Sequence, residues 1–429
     1  MTLETPETTP ETTPADAARG DFSADARRTS TLRGAVTDYL NRLRSGDMGA
    51  LPAVLGLVVL YIVFGLANDR FFSMLNQANL IIQAGSICVL AMGLIFVLLL
   101  GEIDLSAGVT GGVAATFTAL AIVDHGQPWW VAVIVGMLVG CLIGIVIGLL
   151  VAYLGIPSFV VSLAFFLGLQ GVPLKLIGAG GSVPVRDEVI RGLAIKNVPV
   201  TVGWIAAVVV VVAFAALTLM RHRTQTERDL QRPPFSLVLV RIGAFAVIAL
   251  GLTYLLNRNR SLNATFPIEG IPWTLPVVVV LLVVWTFVLG RTAYGRHLYA
   301  VGGNAEAARR AGINVNRMKV SAFMICSTMA AISGVLSAAY SGKVSPSSGG
   351  GNVLLYAVGA AVIGGTSLFG GRGKARDAVI GGLVIATIAN GLGLLNQASY
   401  INYFVTGGVL LLAASVDAIS RRRRSAAGV

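Results

Sequence analysis

Chemistry needs side chains that can hold or move charge, and few of them interrupt the apolar sequence of this chain. Asp104, in the run Gly101-Glu102-Ile103-Asp104-Leu105-Ser106-Ala107-Gly108, is the acid set most closely against apolar segments. Two roles suit it. Its carboxylate, like the hydroxyl of Ser106, can cap the helix that follows by accepting from otherwise unpaired amides; alternatively it holds a proton or a cation. The three histidines, His125, His222 and His297, are read as loop residues far apart, and Cys88, Cys141 and Cys326 sit inside apolar stretches without paired spacing. Neither set suggests a metal site or a disulfide, and no nucleophile has a paired base. A phosphate-binding Gly-x-x-x-x-Gly-Lys-Ser/Thr loop is missing as well, because Gly373-Lys374 is followed by Ala375 and Gly342-Lys343 by Val344. The residues therefore point away from an enzyme, from a bound cofactor or metal, and from nucleotide hydrolysis by this chain.

A second segment carries a mechanical signal. In Gly302-Gly303-Asn304-Ala305-Glu306-Ala307-Ala308-Arg309-Arg310-Ala311-Gly312, Asn304 is a favourable N-cap and the alanines have high helix propensity. Glu306 lies near the positive end of the helix dipole, Arg309 and Arg310 lie near the negative end, and Gly312 supplies a left-handed C-cap. The spacing predicts a two-turn helix, far shorter than an isolated helix needs to be stable in water. It must dock on something. A lateral helix on a lipid surface would need a large apolar face, which this one lacks, so a protein partner is favoured.

The elements that position these residues follow from composition. The 429 residues are 55% hydrophobic and 12% charged, with a mean hydropathy of +0.80, whereas soluble domains carry about 25% charged residues. The surrounding solvent is lipid, in which only helices or a closed barrel satisfy the backbone. Long apolar runs exclude the short alternating strands of a barrel. Twelve crossings are predicted, near 50–67, 78–100, 106–123, 129–152, 157–177, 199–220, 235–256, 273–290, 318–340, 352–369, 378–395 and 402–419; the glycine-dense 106–123 and 352–369 could be broken or re-entrant, and ten crossings would keep the same orientation. The fold class is thus an all-α integral membrane protein, a polytopic helical bundle. With the N-terminus inside, 23 of the 32 Lys and Arg residues fall on the cytoplasmic side and 8 on the other, which places both termini in the cytoplasm by the positive-inside rule. Arg241 lies within a span and is read as snorkelling to the interface. Residues 1–48, with a repeated Pro-Glu-Thr-Thr pattern, are expected to be a disordered cytoplasmic tail. Residues 49–420 form the membrane domain, and 421–429 a basic cytoplasmic tail. The net charge of +12 has its explanation in topology, without nucleic acid.

Three segments resemble one family, the permease subunits of bacterial ATP-binding cassette importers for ribose, galactose and xylose. The loop 291–317 is similar to the family's coupling loop, in which Gly303, Asn304, Glu306, Ala307, Ala308, Arg309, Arg310 and Gly312 would meet the ATPase. The run containing Asp104, Leu105, Ser106 and Gly108 resembles its Gly-x-Ile-Asp-Leu-Ser-Val-Gly signature, departing by Ala107 for Val. The run 363–373, with Gly364, Gly365, Gly370, Gly371 and Arg372, resembles its second glycine-rich signature. An extra hairpin at about 199–273 is most like the xylose-type member.

The resemblance implies a permease subunit in the bacterial cell membrane, importing xylose or a related monosaccharide. Its partners would be a cytoplasmic ATPase, an extracytoplasmic sugar-binding protein and a second permease chain in a homodimer. Candidates for the sugar pathway are polar residues that interrupt apolar spans: Gln83, Ser86, Ser162, Gln170, Asn390 and Asn396. Each could equally make an interhelical hydrogen bond. The alternative function is a proton- or sodium-coupled secondary transporter, for which Glu102 and Asp104 are the nearest coupling acids.

Overall fold

The computed structural model describes residues 49–227, 234–261, 263, 265–398, 400, 401, 403–412 and 415. The tails expected at 1–48 and 421–429 lie outside the described residues, as does the end of the segment expected at 402–419. Among the described residues, eight helices are long and apolar enough to cross a membrane: α2 (Met74–Leu99), α4 (Trp129–Ala152), α5 (Ser158–Ile177), α7 (Val200–Glu227), α8 (Phe235–Asn257), α9 (Thr274–Arg291), α12 (Val315–Ser341) and α14 (Ala375–Leu394). Four shorter apolar helices accompany them: α1 (Leu51–Ala67), α3 (Ala107–Val123), α13 (Val353–Ile363) and α15 (Tyr403–Leu412). Each of these helices overlaps one of the segments expected from hydropathy, but only the eight have the length that a crossing needs.

The chain divides into two compact units, one of which holds the parts of α7 and α8 that fall between Trp204 and Tyr254. Within it the rings of Phe214 and Phe245 lie 4.3 Å apart, and the Arg241 guanidinium sits 5.8 Å from the Phe214 centroid. The cation–π contact gives this charge an aromatic neighbour inside its span. His222 stacks near Phe235, with centroids 5.6 Å apart. It belongs to α7, and His297 belongs to α10 (Ala293–Gly303), so the expectation that all three histidines occupy loops holds only for His125.

The second unit is built around α12, which packs against α4, α2 and α3, while α14 packs on α2 and α13. Without a hydrophobic driving force between helices in lipid, close backbone approach supplies the attraction. Helix α4 provides it with a glycine every fourth residue. A Cβ placed on Gly140 would lie 2.6 Å from the Ser327 carbonyl oxygen, one on Gly144 2.5 Å from that of Phe323, and one on Gly148 2.7 Å from the Val320 Cα.

The all-α expectation needs a small correction. Among the described residues, two antiparallel pairs of two-residue strands join the segments between helices, the first of which also holds the short α6 (Glu188–Ile195): β1 (Val183–Pro184) pairs with β4 (Lys343–Val344), and β2 (Asn197–Val198) with β3 (Ile271–Pro272). They satisfy backbone groups that no helix pairs. The expected crossing 352–369 also stops early, as α13 ends at Ile363 where Gly364 and Gly365 follow. The expected loop 291–317 is largely helical, because α10 and the short α11 (Ala305–Arg310) occupy it.

Candidate functional site

The three resembling segments, far apart in sequence, meet at one end of the α2 helix. After Leu99 the chain turns at Gly101, whose φ of +72° suits glycine. Glu102 then pairs with Lys319 of α12, 2.5 Å away and largely shielded from solvent. Ile103 is held on both sides by α5: its amide donates to Ser158 Oγ at 3.2 Å, and its carbonyl accepts from Ser162 Oγ at 3.3 Å.

Asp104 is only 1% exposed. Its Oδ1 accepts from the Ser106 amide at 2.9 Å and from the Ser106 hydroxyl at 2.6 Å, an Asx turn that leads the chain into α3. Ser106 is the N-cap by position, yet its own side chain makes no cap bond to the helix; its hydroxyl is spent on Asp104. Burial pushes the Asp104 carboxyl above its ordinary range, against the opposing pull of the Ser106 hydrogen bonds.

Helix α11 is short but well terminated. Asn304 Oδ1 accepts from the Ala307 amide at 2.9 Å. Glu306 pairs with Arg309 at 2.8 Å and with Arg310 at 3.4 Å. At the other end Gly312 takes a φ of +84°, and the Ile313 amide returns to the Ala308 carbonyl at 3.0 Å. Ala308 is buried, whereas Glu306, Ala307, Arg309 and Arg310 are exposed. The helix therefore rests on the body through one alanine and presents a small, charged-edged face outward.

Its mount is α10, anchored by buried Leu298 and Val301. The Tyr299 hydroxyl donates to the Gly373 carbonyl at 2.6 Å. Burial, and then the charge of Asp377, raise the Tyr299 pKa and keep the phenol a donor.

Glycine backbone closes the junction. A Cβ on Gly302 would fall 1.8 Å from the Leu99 carbonyl oxygen, and one on Gly370 would fall 2.8 Å from the Gly302 oxygen. The Gly371 amide donates to the Leu99 carbonyl at 2.8 Å. The end of α2, the end of α10 and the glycine-rich segment thus share one contact. Gly364 seats the same segment against α14, where a Cβ would lie 1.9 Å from the Asp377 oxygen. Arg372 is exposed, and its carbonyl accepts from the Ser367 amide at 3.0 Å. Gly108 belongs to a different contact, with a Cβ position 2.8 Å from the Gly349 oxygen. Leu105 is half-buried. Leu99, Tyr299 and Lys319 were not singled out from sequence, and Gly302 was quoted only as part of its motif.

The polar residues read as pathway candidates are not brought together as one set. Asn390 is buried and exchanges side-chain hydrogen bonds with Asn76 at 2.9 and 3.0 Å, an interhelical clasp. Ser162 holds the Ile103 carbonyl. Gln170 is exposed and donates to the Phe166 carbonyl one turn back at 3.0 Å. Asn396 is exposed and takes a φ of +51° at the end of α14. Gln83 is half-buried, and the Ser86 carbonyl accepts from Ser333 Oγ at 2.8 Å. No group of His, Cys, Asp or Glu able to hold a metal occurs among the described residues.

Residues 76–414 match the family model described as branched-chain amino acid transport system / permease component. The chain is 34% identical over 386 residues to the xylose transport system permease protein of Haemophilus influenzae, covering 89% of this chain and 99% of the relative. It is 33% identical over 383 residues to the protein of the same description from Escherichia coli K12, covering 89% and 94%. To the ribose import permease protein of Escherichia coli K12 it is 30% identical over 370 residues, covering 85% and 92%. No solved structure matches the chain. The matched span takes in the Asp104 loop, the segment 302–312 and the second glycine-rich run, and the chain belongs to this family of transport-system permease components.

Proposed function

We propose that the chain is the membrane-spanning permease subunit of an ATP-driven importer for xylose or a closely related monosaccharide. It transports and does not catalyse. It crosses the bacterial cell membrane about twelve times with both termini in the cytoplasm, and pairs with a second copy of itself. A separate cytoplasmic ATPase grips α11 through Asn304, Glu306, Ala307, Arg309 and Arg310, while an extracytoplasmic binding protein delivers the sugar. Residues 1–48 and 421–429 are its cytoplasmic tails.

The observation that carries this reading is the backbone contact among Gly302, Leu99 and Gly371. An exposed helix of six residues has no stability of its own, so such a rigid mount makes sense as a handle for movement imposed by a partner. The likeness to xylose transport system permease proteins supports xylose as the cargo. Reconstitution of the purified chain in proteoliposomes tests the reading. Xylose uptake is expected only when the ATPase, the binding protein and ATP are all supplied; uptake by the chain alone in a proton or sodium gradient would overturn it.

A further inference from the structure

We propose that the non-helical segment 345–352, between β4 and α13, lines the water-filled passage through the bundle and presents the hydroxyls of Ser345, Ser347 and Ser348 to the transported ligand, a neutral polyhydroxylated molecule. This rests on the importer reading for the identity of the ligand, but its placement rests on depth and exposure.

Depth comes from α12. Its 27 residues give a rod about 40 Å long at 1.5 Å per residue, and Gly334 lies about 10 Å short of the Ser341 end on the same rise. A Cβ on Gly334 would fall 2.0 Å from the Gly111 oxygen, which sets Gly111 of α3 at that level. The next residue of α3, Gly112, would drive a Cβ to 1.9 Å from the Ser348 oxygen, and a Cβ on Gly349 would come to 2.2 Å from the Gly108 oxygen. The chain that leaves α12 at Ser341 therefore turns back into the bundle before α13 begins at Val353.

Irregular backbone at membrane depth persists only where protein or water covers it. One side of the segment is covered by α3. The other side is open, since Ser347 and Gly351 are exposed, and the Gly349 and Gly351 amides donate to no described residue. Lipid would leave these groups unsatisfied; water, or a hydroxylated solute replacing it, would not.

The chemistry of the lining is neutral and close-set. Ser345 Oγ lies 3.0 Å from Ser347 Oγ and 3.4 Å from Ser348 Oγ, and the Ser345 amide donates to Ser348 Oγ at 2.9 Å. Residues 345–352 contain no charged side chain. Hydroxyls that both donate and accept match the hydroxyls of a sugar, and without charge the binding stays weak enough for release.

The test is thiol accessibility at Ser347→Cys in the complete transporter, with Cys141→Ala removing the half-buried native thiol. Val209→Cys, at an exposed apolar position of α7, serves as the lipid-facing comparison. A water-soluble, charged methanethiosulfonate should modify Ser347→Cys and spare Val209→Cys. Saturating xylose should slow the modification, and the modified complex should lose uptake while still hydrolysing ATP. Resistance of Ser347→Cys to the charged reagent, or full uptake after its modification, would overturn the assignment. A wild-type complex that imports no monosaccharide would instead overturn the importer reading, and labelling would still decide whether 345–352 faces water.

Discussion

Gly302 and Gly303 are neighbours at the end of α10, yet an added methyl group meets opposite surroundings at the two. At Gly303 nothing lies within 4 Å of a new Cβ, whereas at Gly302 the Leu99 carbonyl oxygen is 1.8 Å away. Ordinary contact begins near 3.4 Å, so α10 and the end of α2 must separate by about 1.5 Å, an overpacking displacement that costs about 1–3 kcal/mol. The same separation breaks the 2.8 Å bond from the Gly371 amide to Leu99, worth about 1 kcal/mol. Gly302→Ala should therefore lose about 2–4 kcal/mol at the junction. Gly303→Ala, in a helical position, should be neutral or gain up to about 1 kcal/mol from backbone entropy. Thermal unfolding of the purified variants, read beside ATP hydrolysis and uptake in proteoliposomes, separates the two. Gly302→Ala should unfold earlier and hydrolyse ATP with little uptake, while Gly303→Ala should unfold with the wild type. Equal behaviour of the two would refute the idea that this backbone contact transmits movement.

Four further substitutions address positions with other duties. Asp104→Asn keeps an acceptor for the Ser106 amide and hydroxyl, so uptake should persist, while Asp104→Ala should cost about 1 kcal/mol by losing the turn; loss of uptake in Asp104→Asn would favour proton coupling. The raised Asp104 pKa carries a sign: its stabilising share is present below the unfolded carboxyl value and is lost as pH rises through the folded value, so thermal stability measured across that window should be flatter in Asp104→Asn than in the wild type. In α4, Gly144→Ala should lower thermal stability by about 1–3 kcal/mol because its Cβ meets the Phe323 oxygen, whereas Gly243→Ala, with nothing within 4 Å, should not; equal unfolding temperatures would contradict the close packing of α4 on α12.

Much of the fold was legible because lipid makes apolar length decisive, and α4 and α5 begin within a residue of where hydropathy set them. Helix α11 was legible from its ends, since Asn304 and Gly312 carry local backbone instructions. Helix α10 was missed although Tyr294, Leu298 and Val301 recur at helical spacing; with four glycines or histidines among its eleven residues it reads as a loop. The convergence of the three motifs was not legible, because it is made by glycine backbone and leaves no side-chain pattern to pair across two hundred residues. Ser162 and Asn390 were read as pathway residues on polarity alone. Polarity within a span does not distinguish a group that meets a solute from one already bonded to Ile103 or Asn76.

The central claim is that α11 is the point where another protein drives this one. Ala307 is exposed on that helix and makes no ion pair, so Ala307→Cys offers a probe that leaves the Glu306 pairs intact. In inverted membrane vesicles carrying the whole transporter, a short thiol cross-linker should join Ala307→Cys to the ATPase subunit, with a yield that changes when ATP is added. Labelling of Ala307→Cys by an impermeant reagent from the outer face of intact cells, with no cross-link to the ATPase, would contradict the account.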